Sequence, residues 1–158
     1  MKKNYYPINM SAAVLWKTGD PLSIENNIKI PQLERGQVLV KIAYSGVCRS
    51  QLMEVQGARG EDKYLPHLMG HEGYGEVVGI GEGVTKVGVG DYVILHWRPG
   101  TGLGTSGTKY KSVDDVAIGA GPVTTFAEFT IIAENRCSVI EPDESIAAAL
   151  PLLGCAVS

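Results

Sequence analysis

The side chains best equipped for chemistry are three cysteines (Cys48, Cys137, Cys155), three histidines (His67, His71, His96) and the run Gly70-His71-Glu72-Gly73-Tyr74-Gly75. Thiolate and imidazole are donors that zinc takes in tetrahedral geometry, and a catalytic ion keeps one position open for water or substrate. Taken singly such residues are plainer than that. A free cysteine packs as a small apolar side chain, and a His-Glu pair among glycines makes a solvated turn. The cysteines are odd in number and scattered. They do not form the disulfide framework of a small secreted domain, so a reducing, cytoplasmic location is expected. A second pattern, Gly102-Leu103-Gly104-Thr105-Ser106-Gly107, is formally GxGxxG. A dinucleotide fingerprint opens an amphipathic helix and meets an acidic residue about 20 positions on. Here polar, unpatterned Thr108-Lys109-Tyr110-Lys111-Ser112 follows, which reads as a glycine-rich loop.

Aiming such side chains at one point requires a stiff body. A length of 158 residues is a prior for one domain, and such a chain buries roughly two thirds of its unfolded surface. Twenty glycines and eight prolines imply frequent turns and a β-rich body rather than a helix bundle. In 37–44, Val38, Val40 and Ile42 fall on one face at period two, which predicts a strand. Gly46 breaks it and leaves Cys48 at a strand end or in the following loop. A short helical turn and then loop are expected over 51–70. Strands are expected over 76–80 and 91–97, and the short link between them predicts an antiparallel pair. Residues 99–116 read as a surface loop, 124–132 and 138–140 as β-prone, and 144–150 as a helix behind Pro142.

Fourteen basic against seventeen acidic residues give a net charge of -3. The only adjacent basic pair is Lys2-Lys3, so nothing tracks a nucleic-acid backbone. The apolar run Ala12 to Trp16 is too short for a signal-peptide core and is closed by Lys17. The most apolar stretch, 146–157, is too short for a bilayer and is interrupted by Pro151. Neither a nucleic-acid nor a membrane partner is expected.

The run from Gly70 to Gly75, followed by Gly81 and Val84, resembles the signature of the zinc-dependent medium-chain alcohol dehydrogenases. That signature is GHExxG with a small residue six places on and a small or β-branched one three further. Gly46-Val47-Cys48 and Leu152-Leu153-Gly154-Cys155 resemble the family's other ligand segments. The resemblance covers most of the chain. It implies a mainly β fold, the family's N-terminal GroES-like partly open β-barrel with short helices, without the family's Rossmann domain. Residues 1–145 then read as the zinc-binding catalytic domain, and 146–158 as the start of a connecting helix towards an absent nucleotide-binding domain.

The resemblance further implies that Cys48, His71 and Cys155 hold one catalytic zinc. Arg49 would meet the cofactor pyrophosphate, Ser50 would take the alcohol proton, Glu72 would back the ligands or ligate transiently, and Trp97 would line the substrate pocket. The plainer alternatives are a solvent-facing Arg, a turn-forming Ser, a surface carboxylate and a barrel Trp. Two positions depart from the pattern. Gln51 stands where many members have an Asp that orients the zinc-bound His, and its amide oxygen offers the same bond. Met53 stands where some members end a proton relay with His. With no cysteine between Cys48 and Cys137, the family's four-cysteine structural zinc is not expected. Cys137 reads as a packed thiol, and His67 and His96 as surface or barrel histidines. The implied activity is hydride exchange between a small-molecule alcohol or aldehyde and NAD or NADP, in a parent protein expected to be a homo-oligomer at full length. The 158-residue chain alone is expected to be inactive, since no pyrophosphate-binding helix follows. The alternatives are a stand-alone zinc-binding or interaction module and, on fold alone, a co-chaperonin-like assembly protein.

Overall fold

The computed structural model describes residues 7–155. Strands β1 (Asn9–Leu15), β2 (Ser23–Lys29), β4 (His67–Leu68), β7 (Lys109–Lys111) and β8 (Ala117–Gly119) close into a small barrel in the order β1-β2-β7-β8-β4. A second sheet runs β10-β6-β5-β3-β9, built from β3 (Gln37–Ser45), β5 (Gly73–Ile80), β6 (Tyr92–Leu95), β9 (Phe129–Ala133) and β10 (Cys137–Val139). The single α-helix among the described residues, α1 (Arg49–Val55), follows β3, and two 3-10 turns span Glu134–Arg136 and Ala147–Gly154. The chain is mainly β, as expected, with a closed barrel beside a second sheet. No described helix is long and apolar enough to cross a membrane.

Alternation explains the two cores. On β1, Met10, Ala12 and Val14 point into the barrel, where they meet Ile28, Tyr110 and Ile118. Val38 and Val40 of β3 pack with Val77, Val93 and Leu95 in a second cluster, as their period-two spacing predicts. Leu39, between them, belongs to the barrel core. The first half of β3 is therefore buried on both faces and forms the wall shared by barrel and sheet. Each such side chain contributes about 1.5–3 kcal/mol of burial.

Several elements differ from their sequence signals. The 3-10 turn Ala147–Gly154 replaces the helix expected over 144–150. Pro151 inside it supplies no N–H, and the Ala149 N–H bonds only three residues back, to the Ile146 carbonyl. Of the stretch expected over 124–132, only the part from Phe129 onward is strand, and that strand, Phe129–Ala133, runs one residue further. The backbone N–H groups of Thr125 and Phe126 go instead to the Met69 carbonyl, tying this stretch to the segment before His71.

The loop expected over 99–116 contains β7, whose Tyr110 is fully buried between two exposed lysines. One buried residue in three leaves no periodicity to detect. The Tyr110 hydroxyl accepts the Ile131 N–H at 2.8 Å, joining the barrel to β9. Tyr110→Phe leaves that buried donor unmatched and is expected to destabilise the chain by about 1–2 kcal/mol. A urea midpoint unchanged in Tyr110→Phe removes this role from the hydroxyl.

The GxGxxG run is bound by its own chain. The carboxylate of Glu134 accepts the Leu103 N–H at 2.8 Å, and a Cβ at Gly102 would sit against its side chain. No βαβ unit follows among the described residues, in keeping with the loop reading.

Candidate metal centre

The antiparallel pairing of β3 with β5 sets Ser45 opposite Gly73. Cys48 lies three residues beyond the end of β3, and His71 two residues before the start of β5. The register therefore carries both to the same end of the sheet. Leu95, at the end of β6, also pairs with Gly73, and the last 3-10 turn packs over this corner. A Cβ at Gly154 would collide with the Leu95 carbonyl oxygen. Only glycine permits that approach, and it delivers Cys155 to the ends of the other two segments. Gly70 plays the matching part before His71: its φ is +94°, and a Cβ there would strike Thr125.

One donor atom each of Cys48, His71 and Cys155 lies within 4.8 Å of the others, and all three residues are half-buried. Beside them Glu72 is only 3% exposed, so it is not a surface carboxylate. Its backbone carbonyl is held by the Gly46 N–H and the Thr125 hydroxyl, both at 3.1 Å. Its Oε2 is buried without a hydrogen-bond partner, and its charge acts on both thiols. An orphaned carboxylate oxygen beside two thiols and an imidazole is satisfied by a cation, so these residues fit zinc.

The two thiols differ. Hydrogen bonds from Ser50, through its hydroxyl and its backbone, hold Cys48 below the usual thiol range against burial and the Glu72 charge. Burial, then the charges of Cys48 and Glu72, push Cys155 up. Cys48 is thus the first to ionise and the better initial ligand.

Cys48 also caps α1. Its N–H donates to the Gln51 Oε1 at 2.7 Å, which satisfies one of the unpaired donors of a helix start. The Gln51 oxygen expected to face the His71 imidazole is thus engaged by the backbone, and its Nε2 is buried without a partner. Arg49 opens the helix exposed, and Ser50 is half-buried against Cys48. Met53 is exposed. Trp97 lies two residues beyond β6, half exposed, with its N–H 3.4 Å from the Gly154 carbonyl. Its place is therefore beside the Cys155 segment rather than in the barrel.

Cys137 is fully buried and its thiol is pushed up to about 12, chiefly by burial, which is the behaviour of a packed thiol. His96 is half-buried, and burial followed by Lys86 holds it below the ordinary histidine range. His67 is a buried barrel residue of β4, and its Nε2 stands 2.8 Å from Asp62 Oδ2 and 3.8 Å from Glu54 Oε1. His67 thus answers to the barrel reading, while no spacing pattern in the sequence groups it with Glu54 and Asp62.

The family profile described as the alcohol dehydrogenase GroES-like domain matches residues 34–142. The chain is 32% identical to an alcohol dehydrogenase class-3 from Dictyostelium discoideum, covering 96% of this chain and 45% of that protein. It is 35% identical to an S-(hydroxymethyl)glutathione dehydrogenase from Photobacterium damsela subsp. piscicida, covering 93% and 46%. The chain thus spans about half the length of the curated relatives it matches. Among solved structures it is similar in fold to an alcohol dehydrogenase zinc-binding domain protein from Burkholderia ambifaria. The TM-score is 0.82 at 24% identity, over 94% of this chain and 46% of that one. Benzyl alcohol dehydrogenase from Acinetobacter calcoaceticus gives a TM-score of 0.75 at 25% identity, over 94% and 45%.

Proposed function

Because the chain belongs to the alcohol dehydrogenase GroES-like domain family, we propose that Cys48, His71 and Cys155 hold one zinc ion, and that the parent protein exchanges hydride between an alcohol or aldehyde and NAD or NADP. The observation that carries this reading is the convergence of the three donors from distant segments beside the unpartnered Glu72 carboxylate. Zinc bound there supplies a Lewis acid that polarises the substrate oxygen and lowers the pKa of an alcohol.

The remaining steps belong to side chains. Ser50, beside Cys48 at the start of α1, takes the alcohol proton through its hydroxyl. Met53 offers no relay, so the proton passes from Ser50 to water at the exposed side of α1. Arg49, exposed one residue before Ser50, meets a cofactor phosphate through its planar fork of donors. Glu72 supports the ligands from behind as a buried negative charge. Trp97 offers an apolar wall for the substrate next to the Cys155 segment.

The chain has three cysteines in all, too few for a four-cysteine structural site in addition to this one. The cytoplasmic location in this reading rests on the odd, scattered cysteines of the sequence. The described residues hold no pyrophosphate-binding unit. In this reading hydride exchange belongs to the full-length parent, a homo-oligomer, and the 158-residue chain by itself binds metal without turnover.

Cobalt substitution of the purified chain tests the centre. A thiolate-to-cobalt charge-transfer band is expected, and its absence overturns the reading. In the parent protein, Ser50→Ala is expected to retain metal and lower kcat by about 10²–10⁴-fold, the usual contribution of a positioned proton acceptor. An unchanged kcat takes the proton transfer away from Ser50.

A further inference from the structure

The structure assigns a second divalent-metal site, of zinc-like chemistry, to Glu54, Asp62 and His67. It shares no residue with the first centre, and its three donor atoms lie within 4.8 Å of one another. Glu54 comes from α1, Asp62 from the loop after it, and His67 from β4. The side chains of His67 and Asp62 are 10% and 12% exposed, whereas that of Glu54 reaches solvent.

The histidine carries the argument. Its Nδ1 lies 2.9 Å from the Leu68 carbonyl oxygen, which only accepts, so Nδ1 bears the hydrogen. In the neutral ring Nε2 is then a bare lone pair. That lone pair faces Asp62 Oδ2 at 2.8 Å and Glu54 Oε1 at 3.8 Å, so three acceptors converge on one point. A cation must stand among them. Among the described residues no Lys or Arg pairs with either carboxylate. The filler is therefore a proton on Nε2 or a metal ion. A proton leaves the group one negative charge in excess, and a divalent ion leaves it neutral.

Three further features fit a metal at this point. A ligating imidazole commonly donates its other N–H to a backbone carbonyl, which fixes the ring and its tautomer, and His67 is held in that way. A tetrahedral ion with bonds of about 2.0 Å needs donors about 3.3 Å apart, and the separations of 2.8 and 3.8 Å bracket that value. Glu54 and His67 also line a cavity of about 580 Å³, with Lys109 and Thr108 on its wall, which leaves a fourth position open to water or a small anion. One imidazole and two carboxylates suit zinc or a similar transition ion. Calcium requires six to eight oxygens, and magnesium retains most of its waters. Bound metal would clip α1 and the following loop to the barrel.

Zinc and cobalt titration of the metal-free 158-residue chain, read by native mass spectrometry and by absorption, tests the site. Wild type is expected to take up two ions. The near-isosteric double variant Glu54→Gln with Asp62→Asn is expected to take up one, with the thiolate-to-cobalt band intact. Cys48→Ala is expected to show the converse: one cobalt ion, without that band. Uptake of two ions by the double variant overturns the proposal, and so does uptake of a single ion by wild type that Cys48→Ala removes. If the double variant loses one ion while Cys48→Ala loses none, the second site stands and the Cys48 centre falls.

Discussion

Cys48→Ala is expected to weaken zinc binding at the Cys48, His71 and Cys155 centre by more than about 100-fold and to lower alcohol-dependent NAD(P) reduction in the parent protein by at least about 10³-fold. Loss of a residue that only supports a ligand costs about 10–100-fold in affinity or activity, and loss of a ligand exceeds that. Of the two thiols, Cys48 is the one held below the usual range, by Ser50, so its removal takes away the thiolate that forms first. Metal uptake displaces thiol protons, so wild-type affinity is expected to fall on acidification.

The fold is expected to survive this substitution. Cys48 is half-buried, and the bond that helps cap α1 uses its backbone N–H, which alanine retains. Far-UV circular dichroism should therefore match wild type while the thiolate-to-cobalt band disappears. Cys137→Ala supplies the contrast. It removes a fully buried thiol from the second core, so it should cost stability and leave metal uptake intact. A Cys48→Ala protein that retains the cobalt band removes Cys48 from the centre.

How much of this was legible in the sequence follows from how each residue does its work. The first half of β3 was readable because Val38, Val40 and Ile42 alternate, though not its second buried face through Leu39. β2 (Ser23–Lys29) escaped because it is mostly polar, exposed along much of its length, and bent by a register shift and by Asn27 at φ 61°. The three donors Cys48, His71 and Cys155 were legible only through short glycine-containing motifs. Their meeting depends on the Ser45–Gly73 register and on a backbone approach at Gly154, neither of which is a local property. Glu54, Asp62 and His67 had no such motif, and tertiary contact alone joins them.

Glu134 shows the same limit for stability. In sequence it is one more carboxylate beside Asn135 and Arg136, yet it is 1% exposed and accepts three backbone N–H groups. These are Thr85 at 2.8 Å, Lys86 at 3.0 Å and Leu103 at 2.8 Å, from two separate loops. Glu134→Ala leaves all three donors unmatched. Each buried orphan costs about 1–3 kcal/mol, and the loops relax to admit some water, so a loss of about 3–5 kcal/mol is expected. Glu134→Gln keeps one acceptor oxygen but turns an NH₂ towards donors, and should fall between alanine and wild type.

Burial alone would raise the Glu134 carboxyl. The backbone bonds from Leu103, Lys86 and Thr85, with the Lys86 charge, outweigh it and hold the group below the ordinary glutamate range. A depressed folded-state pKa means that this stabilisation is complete above the unfolded-state value and is lost as pH falls through the folded-state value. The gap between wild type and Glu134→Ala in urea unfolding of the metal-free proteins should therefore be full at neutral pH. It should close progressively in acid, because protonation removes from wild type the charge that the variant already lacks. A gap below about 1 kcal/mol, or one that stays constant into acid, would show that the ionised carboxylate does not hold the two loops together.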